Sequence, residues 1–314
     1  MPRRPLPART FDGTVPFTRA EALAAGVTDG ALAGVGYQRV FRGVHLRSSV
    51  VPTLVVRCLA ALTIAPAQSV VTHHTAARLW GGIPPDSSDI HLTMANLHRP
   101  KMVGIRPHRV KDVPASVTRR GLPVTTPERT FLDMGRCCDL VELVVLGDSL
   151  VRAEVTTPEL LRAAAETWTG THRFLVRRAA SYVRAKVDSP METRLRMLII
   201  LAGLPEPVVN FEVVDSDGRA RYRIDLSFPE QRVAIEFDGR HHIEREAQWE
   251  GDLFRREDLE SQDWKFVVVV GAQMYGDPAT VLARVEAVLH SRGIRVPRLL
   301  SSEWHRHFPG RSAP

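Results

Sequence analysis

The chain has 314 residues, of which 44% are hydrophobic and 25% charged, and a formal net charge of +7. That length predicts two or three domains with cores of their own, and the composition excludes wholesale disorder. No run of about 18 uncharged apolar residues occurs, so no membrane span is expected, and the opening Met1-Pro2-Arg3-Arg4-Pro5 lacks the apolar stretch of a secretory signal.

The charge is uneven along the chain. Residues 1–200 carry 27 Lys+Arg against 16 Asp+Glu, whereas residues 201–300 carry 13 against 18. A basic front with an acidic patch behind it fits a protein that attracts polyanions and holds a cation locally; it fits an arginine-rich solvated surface equally well. Cys58, Cys137 and Cys138 make neither a disulfide framework nor a zinc site, and a reduced, cytoplasmic setting is expected.

In chain order, Thr18 with Glu21 three residues on forms a capping box for a first short helix. Gly26 breaks that helix and Thr28 caps a second, which runs through Leu32. Tyr37–Leu46, with Val40, Val44 and Leu46 around Gly43, reads as a hairpin. Helix, tight turn, helix and hairpin predict a winged helix-turn-helix over 1–50. Residues 51–168 read as a small α+β middle domain: apolar helices at 51–62 and 73–80, short extended pieces between Asp89 and Val124, and further helices from Pro127. An arginine-rich helix, Arg173–Lys186, is expected as a basic linker over 169–186, its exposed face open either to a DNA backbone or to solvent.

Residues 187–296 read as a mixed α/β domain of order α-β-β-β-α-β-α, followed by a tail at 297–314. Ser189-Pro190-Met191-Glu192 starts its leading helix; strands are expected at 207–214, 221–228, 232–238 and 265–270, and helices at 246–262 and 278–291. In RYRIDLSFPEQRVAIEFDG, apolar residues alternate with Asp225 on one strand and with Glu236 and Asp238 on the next. An antiparallel pair then brings Asp225 beside Glu236. Such carboxylates either meet water on an exposed face or repel one another until a hard cation neutralises them.

The stretch Ser189–Val285 resembles a bacterial family related to very-short-patch repair (Vsr) endonucleases, within the PD-(D/E)XK superfamily. Ser189, Glu192, Asp225, Glu236-x-Asp238-Gly239, His241-His242, Asp252, Arg256, Leu259 and Trp264 carry the match. The resemblance implies a restriction-endonuclease-like fold with a Mg²⁺ (or Mn²⁺) ion on Asp225, Glu236 and the Phe237 carbonyl. It implies that Glu192 orients water or supports the metal's ligands. Asp238 stands where the superfamily usually has lysine, so acid–base help falls to His241 or His242, and Val268 stands where relatives often carry arginine, a loss for which Arg255 and Arg256 compensate. Residues 15–161 resemble AbiEi-like antitoxins of type IV toxin–antitoxin systems, through VFRGVH (40–45), THHTAARLWG (72–81) and LPVTTPERT (122–130). That likeness implies a DNA-binding front end; in a winged helix-turn-helix, Thr28 would face the groove while Arg19, Arg39 and Arg42 hold phosphates.

The expected protein is therefore an α/β multidomain chain. An AbiEi-like winged-helix front is fused to a Vsr-like rear that cleaves DNA phosphodiesters with Mg²⁺. The alternatives are a transcriptional regulator or antitoxin whose rear binds nucleic acid without cutting it, and a partner of a toxin or other defence-system protein. His73-His74 is expected to pack or cap at a helix start rather than bind metal.

Overall fold

The computed structural model describes residues 12–95, 102–215, 217–239 and 246–310. The chain divides into two compact units, 1–134 and 135–314. Both are mixed α/β, and the described residues form three sheets.

In the front unit, β1 (Phe17–Thr18) leads into α1 (Arg19–Ala24) and α2 (Asp29–Ala33), followed by β2 (Tyr37–Phe41) and β3 (Val44–Arg47). The capping box forms as its residues dictate: the Thr18 hydroxyl accepts the Glu21 N–H while Glu21 accepts the Thr18 N–H. Thr28 caps α2 by accepting the Ala31 N–H. Phe17, Ala22 and Leu32 close a small core under a three-stranded sheet of order β1-β3-β2.

The same unit continues with α3 (Leu54–Ile64), β4 (Val70–Val71), α4 (His73–Leu79), β5 (Ile90–Ala95), β6 (Ile105–Val110), β7 (Val117–Arg119), β8 (Leu122–Val124) and α5 (Pro127–Met134). Its five strands run in the order β6-β5-β4-β8-β7, with β5/β6 and β4/β8 parallel. Trp80 pins α4 to the sheet: its indole N–H donates to the Thr125 carbonyl at 2.8 Å, and Arg119 lies over the ring. Thr72 holds the N-cap position of α4 without capping it, because its hydroxyl is committed to Thr93 and His73.

The rear unit holds α6 (Leu140–Arg152), α7 (Pro158–Thr167), α8 (Arg173–Tyr182), α9 (Pro190–Leu201), β9 (Val208–Val214), β10 (Ala220–Phe228), β11 (Val233–Asp238), α10 (Glu246–Ser261), β12 (Lys265–Val270), α11 (Gly271–Gly276) and α12 (Pro278–Ser291). Its sheet has the order β12-β11-β10-β9, antiparallel except for the β11/β12 pair. The expected α-β-β-β-α-β-α order is present from α9 onward, with α11 inserted before the last helix.

The arginine-rich α8, expected as a linker, packs against α6 and α7 within this unit. Its arginines serve the fold. Arg177 donates to the carbonyls of Ala165, Glu166 and Trp168 at the C-terminal end of α7, satisfying groups that a helix end leaves open. Arg178 pairs with Glu303, and Arg184 with Glu206. The residues expected as a tail are also packed: Trp304 and Phe308 are buried, and His307 meets Asp139 at 3.0 Å.

Beneath these lies a buried ion pair. Arg196, fully buried, donates to Asp148 at 2.8 Å and to the Tyr182 carbonyl. Asp148 also accepts the Thr193 hydroxyl and the Arg184 N–H, so every element it touches helps hold its charge. This network ties α6 and the end of α8 to α9, the helix that carries Glu192.

Candidate functional site

Two of the rear strands set the site. On β10 and β11, Leu226 faces Ile235, and one residue further along the two strands Asp225 stands beside Glu236. On the other side of β10, Asn210 lies between the pairs Val209–Leu226 and Phe211–Ile224, so it faces Asp225. Glu236 in turn pairs with Val268 across the parallel β11/β12 ladder. Asn210, Asp225, Glu236 and Val268 thus form one row across the sheet. Glu192, held in the first turn of α9 by the Ser189 cap, stands beside this row and repels Asp225. Of the expected acidic set, Glu192, Asp225 and Glu236 come together.

Their surroundings explain their electrostatics. Glu192 is 6% exposed, and Asp225 and Glu236 are partly buried. Burial pushes all three carboxyl groups above the ordinary range, and their mutual repulsion adds to this for Glu192 and Glu236. Hydrogen bonds and ion pairs oppose the rise, the Ser189 hydroxyl first among them at Glu192. The Phe237 N–H donates to Asp225 Oδ2 at 3.1 Å; Arg255, from α10, pairs with Glu236; and the Asp188 N–H donates to Glu192 Oε2 at 3.1 Å. Arg255 also donates to the Arg223 carbonyl at 2.7 Å, and Arg223 pairs with Asp188. Asp188, Arg223 and Asn210 are site residues that the sequence reading did not name. Asp188 was visible as an acid four residues before Glu192, but nothing in local spacing singles out the other two.

The other expected site residues are distributed as follows. Asp238 ends β11, opposite Val270. His241 and His242 lie outside the described residues. Arg256 pairs with Glu260 one helical turn on and stacks over Phe266 of β12, and its charge also acts on Glu236. In the front unit Arg19 is held by Asp29 through two bonds of 2.7 and 2.6 Å, and Thr28 is occupied as a cap. Arg39 and Arg42 are exposed on and beside the β2–β3 hairpin.

Among the described residues, no group of three or more His, Cys, Asp or Glu side chains is arranged to hold a metal ion. The pair Asp225 and Glu236 still offers the right donor chemistry, hard oxygens in a partly buried place where a cation would relieve their repulsion. Phe237 follows Glu236 on β11, and its N–H is already bound to Asp225. Arg255 now supplies the positive charge at Glu236.

The front unit has a second titratable cluster. His73 and His74 from α4 meet His91 of β5 and His108 of β6: the rings of His73 and His108 stack at 3.5 Å, and His91 Nδ1 lies 2.9 Å from His108 Nε2. Burial drives His73 down to about 2 and His91 to about 3, with the neighbouring imidazoles and Arg78, Arg106 and Arg129 adding to the effect. These histidines pack, as expected for His73-His74, and burial holds the rings of His73, His74 and His91 neutral.

No helix among the described residues is long and apolar enough to cross a membrane. No family model matches the chain. It is similar to uncharacterized proteins from two strains of Mycobacterium tuberculosis, CDC 1551 and H37Rv. Each is 24% identical over 252 residues, which covers 80% of this chain and 91% of the relative.

Proposed function

We propose that the rear unit hydrolyses DNA phosphodiester bonds with a divalent cation, Mg²⁺ or Mn²⁺, held by Asp225, Glu236 and the Phe237 carbonyl. The observation that carries this reading is the meeting of Asp225 and Glu236 on neighbouring strands with the buried Glu192 beside them. When bound, the cation would supply Lewis-acid stabilisation of charge on the phosphate. Glu192, its carboxyl raised by burial, is suited to accept the proton of an attacking water at a carboxylate oxygen. Arg255 compensates for the arginine absent at position 268: with Glu236 neutralised by the cation, its guanidinium is free to turn to a phosphate oxygen. In the front unit, two short helices and a hairpin support the AbiEi-like winged-helix reading, with Arg39 and Arg42 as phosphate contacts. A toxin or other defence-system protein is the protein partner this likeness suggests.

The Arg255–Glu236 pair favours one other reading, a regulator or antitoxin whose rear site is closed by its own arginine and binds nucleic acid without cutting. A plasmid-nicking assay separates the two. Hydrolysis predicts nicking by the wild type only with Mg²⁺ or Mn²⁺, lost in Asp225→Ala and Glu236→Ala while mobility-shift binding persists. Cation-independent binding without nicking in any of the three proteins would establish the regulator.

A further inference from the structure

Asn210 stands out from the rest of its strand. It is 5% exposed in β9, with φ of +44°, in the left-handed region that non-glycine residues seldom adopt inside a sheet. Asparagine tolerates that conformation better than most residues, yet it still carries strain there, and persistent strain of this kind points to a role. The amide of Asn210 donates to the carbonyl of Lys186, itself left-handed at φ +63°, and to Glu192 Oε2 at 3.5 Å. Its main chain meanwhile faces Asp225 across the β9–β10 ladder. One residue therefore touches the loop before α9, the carboxylate at the start of α9, and the strand bearing the central aspartate.

We propose that Asn210 is a positioning residue: its amide, anchored on the Lys186 carbonyl, fixes the Glu192 carboxylate beside Asp225 and so sets how strongly the site takes up a divalent cation. This rests on the cation reading above. Two donors converge on one oxygen of Glu192, the Asp188 N–H and the Asn210 amide, and the Ser189 hydroxyl also stabilises the carboxylate. The backbone donor is fixed by α9 itself. The side-chain donor comes from the sheet and, together with the Asp188–Arg223 pair, registers the start of α9 against the row that contains Asp225.

The test is a double-mutant cycle on the full chain with Asn210→Gly, Glu192→Gln and the pair. Glycine accepts a positive φ without strain, so this substitution removes the amide and leaves the backbone at ease. Mn²⁺ affinity, followed by the electron paramagnetic resonance of the free ion, is expected to weaken roughly 10-fold in Asn210→Gly. The same substitution in the Glu192→Gln background is expected to change it less than twofold. Equal weakening in both backgrounds, or none in either, overturns the proposal. Urea unfolding of the same four proteins without metal separates this claim from the one beneath it. If the wild type takes up no Mn²⁺ but residues 210 and 192 remain coupled in stability, Asn210's hold on Glu192 stands, while its effect on cation uptake falls with the cation reading. If the coupling is absent as well, both fall.

Discussion

The front unit gathers His73, His74, His91 and His108; the rear unit gathers Glu192, Asp225 and Glu236. Each set crowds like groups into a partly dry place, and each meets the same cost of burying charge. His73, His74 and His91 avoid it by staying neutral, since an ordinary histidine already sheds its proton near neutral pH. Carboxylates have no such exit at pH 7. They must be hydrogen-bonded, paired or bridged by a cation, and Arg255, Arg223 and the Phe237 N–H meet that need in part. A cluster of buried histidines is therefore a packing solution, whereas a cluster of half-compensated carboxylates is a standing demand for positive charge.

The Arg196–Asp148 pair is the reference for a fully buried carboxylate held by a direct counter-charge, and breaking it should have the largest effect. Arg196→Met is expected to destabilise the rear unit by about 3–5 kcal/mol, because Asp148 is left buried without its counter-charge. Chemical denaturation of the two proteins measures this; a change within 0.5 kcal/mol, roughly the scatter of surface substitutions, would break the comparison.

Acid should weaken the front unit next. His73 and His91 titrate in the fold at about 2 and about 3, far below an unfolded histidine near 6.5. Below pH ~6.5 the unfolded chain binds protons that the fold refuses, so stability present at neutral pH falls by about 1.4 kcal/mol per histidine for each pH unit. Loss of the front unit's melting transition between pH 6 and 4, delayed in His91→Phe, is the expected result. Asp86, beside Arg78, and Asp133, beside Arg129, are the nearest acidic counterweights and do not reverse the sign.

The carboxylates run the other way. Their folded values are raised, so the stability they contribute is full in acid, below their unfolded values, and is lost as pH rises through the folded ones. Metal-free Asp225→Asn should therefore melt higher than the wild type at pH 7, by a few degrees for about 1 kcal/mol in a unit of this size. It should also lose the stabilisation that Mn²⁺ gives the wild type. The smallest effect is expected from Arg255→Met. This substitution lowers the metal-free melting temperature slightly and enlarges the upward shift on adding Mn²⁺, because Glu236 then lacks its resident cation. An unchanged Mn²⁺ response would show that Arg255 and the metal do not compete.

The sequence made some of this plain. Strands β10 and β11 and helix α12 lie close to where period-two and helical spacing placed them, and the Thr18, Thr28 and Ser189 caps form because capping is decided within four residues. The Asp225–Glu236 meeting was legible because a short turn joins their strands and fixes the register. What escaped depends on distant chain. His91 and His108 join His73 only through a parallel β5/β6 pairing that local spacing cannot announce. Asn210 gained its place from a left-handed backbone that no neighbour in the sequence requires. The arginines of α8 did show a periodic face, but periodicity does not say that carbonyls of α7 and Glu303 would cover it.

The division of the chain after Met134 bears on how it can be cut for experiments. A fragment beginning at residue 187 would keep every acidic side chain of the site. It would also discard Asp148, leaving the guanidinium of Arg196 buried with its principal counter-charge gone. Ending that fragment at 296 would strip away the aromatic plugs Trp304 and Phe308 as well. Such a piece would be expected to misfold or aggregate, and its silence in any assay would say nothing of the native chain. The span from Gly135 through Phe308 is the shorter expression target worth making.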